Sequence, residues 1–288
     1  MPHPADQSNP IVESTQPAIT THEPRKFLLP KSLLPFSIDK QQFRRMVLRD
    51  NFPLPGDKAR EGYMVGSDKG YWLHGLADFL KTMRVVNQYE IEINSMLDFG
   101  CATGRVTRHF CQQLDDVRVW AADINSDHIQ WLQRHFPINP QAIQVGQPIG
   151  LPIEDDTLDL ITAYSVFTHI DELETDWLCE LQRVLRPGGL GYLTVHNEDT
   201  WKALGQITDP TNRLVESMLL TESFQRQQLR QPMPESKMVF HFADAGEYRS
   251  QVFLSDLHIH KVWSRWFQVV EILPLVHQQQ SVVVLRKR

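Results

Sequence analysis

Five residues, Gly100-Cys101-Ala102-Thr103-Gly104, join a short apolar run to a stretch of helical spacing. Just ahead of them Asp98 places an acid inside the run Ser95–Phe99, and Asp123 closes a second apolar run nineteen residues past Gly104. Glycines at such a turn permit a tight bend and let a ligand approach bare backbone. A helix starting there directs unpaired N–H groups and its positive dipole end at the turn. With a carboxylate beside it, the turn suits a ligand carrying both charges, such as an amino acid attached to a nucleoside. An acid at the end of the second run can accept hydrogen bonds from the 2′ and 3′ hydroxyls of a ribose. Together these features indicate a nucleoside without choosing among nucleoside cofactors. A dinucleotide fingerprint needs G-x-G-x-x-G; here the spacing is Gly100-x-x-x-Gly104, with no middle glycine.

Two histidines have the right chemistry for proton handling near neutrality. His169 ends Tyr164-Ser165-Val166-Phe167-Thr168-His169, and His196 ends a later apolar run. The structural alternative for each is a backbone hydrogen bond that holds its loop.

The elements that must position these residues alternate along the chain. Apolar runs predict strands at Ser95–Phe99, Val117–Asp123, Ala142–Val145, Leu158–Tyr164 and Leu190–His196. Helical spacing separates them at Thr103–Leu114, at Ser126–Phe136 with Ser126 as N-cap, and at Glu174–Leu185. Such alternation implies βαβ units and a doubly wound, mainly parallel sheet, which binds ligands beyond the carboxyl ends of its strands. Ser255–Ser264 and the runs Phe267–Leu273 and Ser281–Leu285 supply a closing helix and two closing strands.

Upstream, residues 1–35 are rich in Pro, Ser, Thr and Gln and read as a loosely docked or disordered tail. Residues 36–90 form a helical extension, with a short helix at Phe36–Leu48 and an amphipathic one within Tyr63–Arg84. The core follows at 91–196, an insertion at 197–250, and the closing elements at 251–288. In the insertion, Leu214, Met218, Leu219, Leu220, Phe224 and Leu229 recur at roughly helical spacing, predicting a helix over Arg213–Gln231. A helix leaving the sheet at that end would serve as a lid, together with the segment around Tyr71 and His74, or as a dimer interface.

Two further segments carry a resemblance. Gly146-Gln147-Pro148-Ile149-Gly150-Leu151-Pro152-Ile153-Glu154-Asp155-Asp156-Thr157-Leu158-Asp159-Leu160-Ile161 and Leu178-Cys179-Glu180-Leu181-Gln182-Arg183-Val184-Leu185-Arg186-Pro187-Gly188-Gly189, taken with the Gly100–Gly104 turn, resemble the class I S-adenosylmethionine-dependent methyltransferases. The likeness covers roughly Ser95–His196, about a third of the chain. It implies a seven-stranded Rossmann-like fold, S-adenosyl-L-methionine as cofactor, and methyl transfer to an oxygen, nitrogen or carbon of a small acceptor. It assigns the cofactor to the turn residues Asp98, Gly100, Cys101, Ala102 and Gly104, to Asp123 and Ile124, and to Gln147 and Tyr164. His169 is the catalytic candidate. Gln147 departs from the family's usual acid for the adenine amino group, although its carbonyl can accept the same hydrogen bond. A nicotinamide-dependent oxidoreductase fits less well, because the middle glycine is absent and the Pro-Gly-Gly segment is present. A non-catalytic nucleoside-binding scaffold is a third reading.

Composition sets the outer bounds. The chain has 288 residues, a net charge of −6 and three cysteines without metal-ligand spacing. A negative balance argues against nucleic acid as a partner. Unpaired cysteines point to a reducing, cytoplasmic setting. No apolar run approaches a membrane span, and the N-terminus lacks a charged-then-apolar leader pattern. The ending Arg286-Lys287-Arg288 reads as a solvated tail.

Overall fold

The computed structural model describes residues 31–136, 139–209, 211–243 and 250–288; most of the N-terminal tail, residues 1–30, lies outside them. The core strands are β1 (Ser95–Phe99), β2 (Arg118–Asp123), β3 (Gln141–Gln144), β4 (Leu158–Ala163) and β5 (Leu185–Val195). A ribbon of β6 (Lys237–His241) and β7 (Ser250–Leu254) precedes the closing strands β8 (Phe267–His277) and β9 (Gln280–Lys287). The main sheet runs β3-β2-β1-β4-β5-β9-β8. Its first five strands pair in parallel, and β9 is antiparallel to both β5 and β8. This is the doubly wound, mainly parallel sheet that the alternation of periods implied, with the seven strands that the resemblance implied.

The strand order reverses between β1 and β4, so the carboxyl ends of β1, β2, β4 and β5 open on one edge. Both faces of the sheet are covered, as near-continuous apolar strands require. On one face α5 (Glu174–Val184) and α8 (Asp256–Val262) cover Leu97, Ile161, Leu193 and Val283. On the other, α1 (Lys40–Arg49), α2 (Asp68–Gln88) and α3 (Thr107–Gln113) cover Met96, Leu160, Tyr192 and Val284. Trp263 and Phe267 lie in the first of these cores, as their types suggest.

The N-terminal extension is bolted to the core by a buried ion pair. Asp50 accepts from Arg108 Nε at 2.6 Å and Nη2 at 3.0 Å, and also from Trp72 Nε1 at 2.6 Å. Both charged side chains are fully buried, so each is the other's compensation for lost water. Helix starts are capped as local chemistry demands. Asp39 and Gln42 form a reciprocal box at α1, and Ser67 opens α2.

Several boundaries differ from the sequence reading. The cap of α4 (Ser126–His135) is Asn125, not Ser126; its side chain accepts from the Asp127 and His128 amides. Helix α5 passes directly into β5 at Leu185, and Arg186–Gly189 bulge out of the pairing with β4 before it resumes at Leu190. The Pro-Gly-Gly is therefore a bulge inside the strand. The helix expected over Arg213–Gln231 is α7 (Arg213–Leu219), followed after a turn by a 3-10 segment at Arg226–Arg230. Together with α6 (Glu198–Gln206) and the ribbon, these bury Trp201, Met218, Phe224, Leu229, Phe240 and Phe253 in a core of their own. Of β7, Phe253 joins this core, while Val252 and Leu254 pack into the core of the main sheet. Lys287 is not a solvated tail residue: it ends β9 and donates from Nζ to Asp156 and the Gln182 carbonyl at 2.5 and 2.7 Å.

Among the described residues, no helix is long and apolar enough to cross a membrane, and no cluster of His, Cys, Asp and Glu is arranged to hold a metal.

Candidate functional site

A cleft of about 1130 Å³ opens at the carboxyl ends of the parallel strands. Its walls come from five places: the strand-end loops, the segment around Glu61 and Tyr63, helix α7, the ribbon, and the β8–β9 turn.

The glycine turn forms part of the floor through Gly100 and Ala102. Gly100 has φ +78°, and a Cβ there would sit 2.2 Å from Val166 Cγ2, so the close approach of the β4 loop requires glycine. Four of the turn's five N–H groups are already engaged. Gly100 N and Cys101 N both donate to the Ala122 carbonyl, Ala102 N to Asp123, and Gly104 N to the Cys101 carbonyl. Helix α3 starts only at Thr107. The turn therefore contributes shape and bare backbone, and not the open row of N–H groups that the sequence suggested.

Asp98 lies behind the turn, outside the cleft lining. Its oxygens accept from Thr107 Oγ1 at 2.6 Å and Thr162 Oγ1 at 3.0 Å, tying β1 to α3 and β4. Burial pushes its carboxyl pKa up, against those two hydroxyls. Cys101 and Gly104 likewise sit outside the lining; Cys101 is buried beside Ala121, Ile129 and Leu132. At Gly104, also at φ +78°, a Cβ would meet Leu132 Cδ2 at 2.8 Å.

Asp123 does line the cleft. Its Oδ2 accepts from Ala102 N at 2.7 Å and its Oδ1 from Asn125 N at 2.9 Å. A carboxylate has about four acceptor positions, so two remain for outside donors. Behind it stands His128, with Nδ1 at 3.5 Å from Asp123 and Nε2 at 3.0 Å from Glu61. Burial opposes the imidazolium, but Asp123 and Glu61 outweigh it and raise the His128 pKa to about 9. This cation holds the two cleft-lining acids in register. Ile124, Gln147 and Tyr164 also line the cleft; the Tyr164 hydroxyl is hydrogen-bonded to Thr82 and the Asp78 carbonyl.

His169 and His196 are brought to the same wall. His169 Nδ1 is 2.8 Å from the Ser250 carbonyl, so it carries the proton and anchors the loop to β7. Burial lowers its pKa, and it lowers that of His196 to about 3, with His169 a smaller contributor. Both imidazoles are neutral at physiological pH.

The segment around Tyr71 and His74 is placed differently from expectation. Tyr71 is buried with its hydroxyl 3.3 Å from Thr103 Oγ1. His74 borders a smaller neighbouring cleft with Met64, Val65, Arg213 and Gln278. The wall is instead supplied by residues that no motif marked. Tyr63 Oη lies 3.0 Å from Ser165 Oγ, and Gln280 Nε2 donates to that same oxygen at 2.8 Å. The β8–β9 turn carrying Gln280 is fixed by His277, whose ring reaches Asp78 at 2.8 Å and Tyr192 at 2.6 Å. From α7, Arg213 donates to the Gly62 carbonyl, and the two border the smaller cleft together.

Residues 97–193 match the family described as "Methyltransferase domain". About a third of the chain is therefore similar to this family. The chain is 28% identical over 94 residues to the malonyl-[acyl-carrier protein] O-methyltransferase of Hahella chejuensis, covering 33% of each chain. It is 30% identical over 112 residues to the demethylmenaquinone methyltransferase of Chlamydia trachomatis, covering 38% of this chain and 48% of that one. The chain thus spans between a third and a half of the length of these relatives. In three dimensions it resembles an S-adenosylmethionine-dependent methyltransferase from Clostridium acetobutylicum, with TM-score 0.51 and 13% identity over 77% of this chain and 93% of that one. A Pyrococcus horikoshii protein gives 0.52, 18%, 77% and 93%. At these identities the likeness establishes the fold of the domain, and the site is argued from its own residues.

Proposed function

We propose that the protein transfers a methyl group from S-adenosyl-L-methionine to a small-molecule acceptor. The observation that carries this reading is the convergence of Gly100, Ala102 and Asp123 on one cleft, in the part of the chain similar to the methyltransferase domain family. Asp123 keeps two acceptor positions for a ribose diol, and the imidazolium of His128 keeps that carboxylate oriented. Gln147 and Ile124 flank the adenine end, where the Gln147 amide offers a carbonyl to an exocyclic amine.

S-adenosylmethionine, when bound, supplies a methyl group already activated on a sulfonium. The protein's task is then alignment and exclusion of water. Alignment of donor and nucleophile is worth roughly 7 to 11 kcal/mol in favourable cases. Tyr63, Ser165 and Gln280 form a hydrogen-bonded wall that fixes the β4 loop against the β8–β9 turn. The Arg213–Gly62 contact joins the insertion to the N-terminal segment beside the cleft, which supports the lid reading over an interface. His169 acts as a loop anchor in this scheme, since its Nδ1–H is committed to Ser250. A cytoplasmic setting agrees with the three free cysteines.

Titration calorimetry with S-adenosylmethionine, S-adenosylhomocysteine and NADH tests the proposal. Binding of the two adenosyl ligands without NADH is expected. Tight NADH binding with no response to either adenosyl ligand overturns it in favour of a nicotinamide enzyme.

A further inference from the structure

Charge is distributed unevenly along the chain. From Arg25 to Arg49 there are seven Lys and Arg residues against one acid, Asp39. That stretch carries +6 in a chain of net −6, so the remaining residues carry −12. A chain this acidic repels anions as a whole, and the basic stretch is a local exception. Its described part, from Lys31 onward, is a 3-10 turn (Lys31–Phe36) followed by α1.

Helix α1 is fixed so that its cations face outward. Phe43 and Val47 are buried, with Phe43 edge-on to Trp72 at 6.1 Å between ring centroids. Gln113 Nε2 donates to the Met46 carbonyl at 3.0 Å. The opposite face exposes Lys40, Arg44, Arg45 and Leu48, which stand at helical intervals and form one stripe. Leu48 is 53% exposed. The neighbouring acids have other work. Asp39 caps the helix through the Gln42 amide, Asp50 is buried with Arg108, and Asp115 pairs with Arg49. Lys40, Arg44 and Arg45 make no ion pair among the described residues. Arg84 of α2 lies over the Phe36 ring at 5.1 Å, adding a cation beside the 3-10 turn. An ordinary solvated helix face mixes the two signs, with acids three or four residues from cations. Helix α1 contains no acid at all.

We infer that the outward face of α1 docks the protein on an anionic membrane surface. Lys40, Arg44 and Arg45 meet the phospholipid head groups, and Leu48 enters between them. Charge complementarity calls for an anionic partner, and the exposed leucine favours lipid over nucleic acid. A bilayer surface takes up cations and apolar side chains together. The sequence repeats that pairing upstream, where Phe27-Leu28-Leu29 follows Arg25-Lys26. The attachment is peripheral, since no described helix is long and apolar enough to span a bilayer. None of these residues lines the cleft, so the inference does not depend on what the cleft binds.

Sedimentation of the full chain with vesicles tests it. One set of vesicles is pure phosphatidylcholine; the other has one part phosphatidylglycerol to two of phosphatidylcholine. Binding is expected to the mixed vesicles alone, and to vanish at about 1 M salt, where the screening length is about 3 Å. Each cation near such a surface is worth about fivefold in partitioning, so Arg44→Gln with Arg45→Gln should lower it about 25-fold. Leu48→Gln should lower it about threefold or more, through lost apolar burial. Both variants should keep the wild-type melting temperature, because the three side chains are exposed. No binding to the mixed vesicles, equal binding to both kinds, or binding unchanged in either variant overturns the inference. So does tighter binding to a short DNA duplex than to the mixed vesicles at matched phosphate concentration, which would make the face a nucleic-acid site.

Discussion

Replacing Asp123 with alanine removes the carboxylate on which the cofactor half of the cleft is built. Two of its acceptor positions are used internally, by Ala102 N at 2.7 Å and Asn125 N at 2.9 Å. The remaining two match a vicinal diol. A hydrogen bond to a charged acceptor contributes about 1.5–3 kcal/mol, and two that share one carboxylate are not additive. A loss of about 3 kcal/mol follows, or roughly 150-fold in affinity at 1.4 kcal/mol per factor of ten. The substitution also frees the Ala102 amide, in a residue held at φ +45°, so part of the loss reflects a looser turn. A ligand-side change isolates the ribose contribution. Calorimetry should show that 2′-deoxy-S-adenosylhomocysteine binds the wild type about tenfold more weakly than the parent, the weight of one hydrogen bond. The Asp123→Ala protein should bind both ligands alike. A folded variant with unchanged affinity, or a deoxy penalty equal in both proteins, refutes the assignment of Asp123 to the ribose.

Gly100→Ala should destabilise the fold and abolish cofactor binding, since the new Cβ meets Val166 Cγ2 at 2.2 Å in a left-handed conformation; thermal unfolding and calorimetry check both effects. Asp50→Ala should cost about 3–5 kcal/mol in chemical denaturation, because it leaves Arg108 buried and unpaired. For His128 the folded pKa of about 9 lies above the ordinary 6.5, with Asp123 and Glu61 as its facing charges. Its contribution is complete below pH 6.5 and is lost as pH rises through 9, so His128→Gln should flatten the decline of stability across that window in denaturant titrations. Arg213→Ala should speed release of S-adenosylhomocysteine in stopped-flow measurements, with little change in melting temperature.

The sheet was legible because its signals are local. Short apolar runs broken by helical spacing need no knowledge of distant contacts, and β1, β2, β4 and the closing pair fell where those runs placed them. The insertion was not legible, for the converse reason. Met218 and Leu229 stand in phase on one helix face, but their burial partners are Trp201, Phe240 and Phe253, from α6 and the ribbon. Tertiary burial makes apolar residues recur whether or not the chain between them is helical. Thr221 pairs with Phe242 instead of continuing α7, a contact that no window of sequence contains.

The same distinction separates the two halves of the site. Gly100, Ala102 and Asp123 are legible because β1, its turn and β2 are adjacent in sequence and in space. The opposite wall is assembled across long separations. Tyr63 reaches Ser165 over 102 residues, and Ser165 reaches Gln280 over 115. Gln278-Gln279-Gln280 had no meaning as a string; it gained one when His277, locked to Asp78, fixed the β8–β9 turn at the cleft. The motif half must answer to a cofactor common to many chains, so its residues follow a shared pattern. The acceptor half answers only to this chain's own substrate, and its side chains are drawn from wherever the fold brings neutral hydrogen-bonding groups to the end of β5.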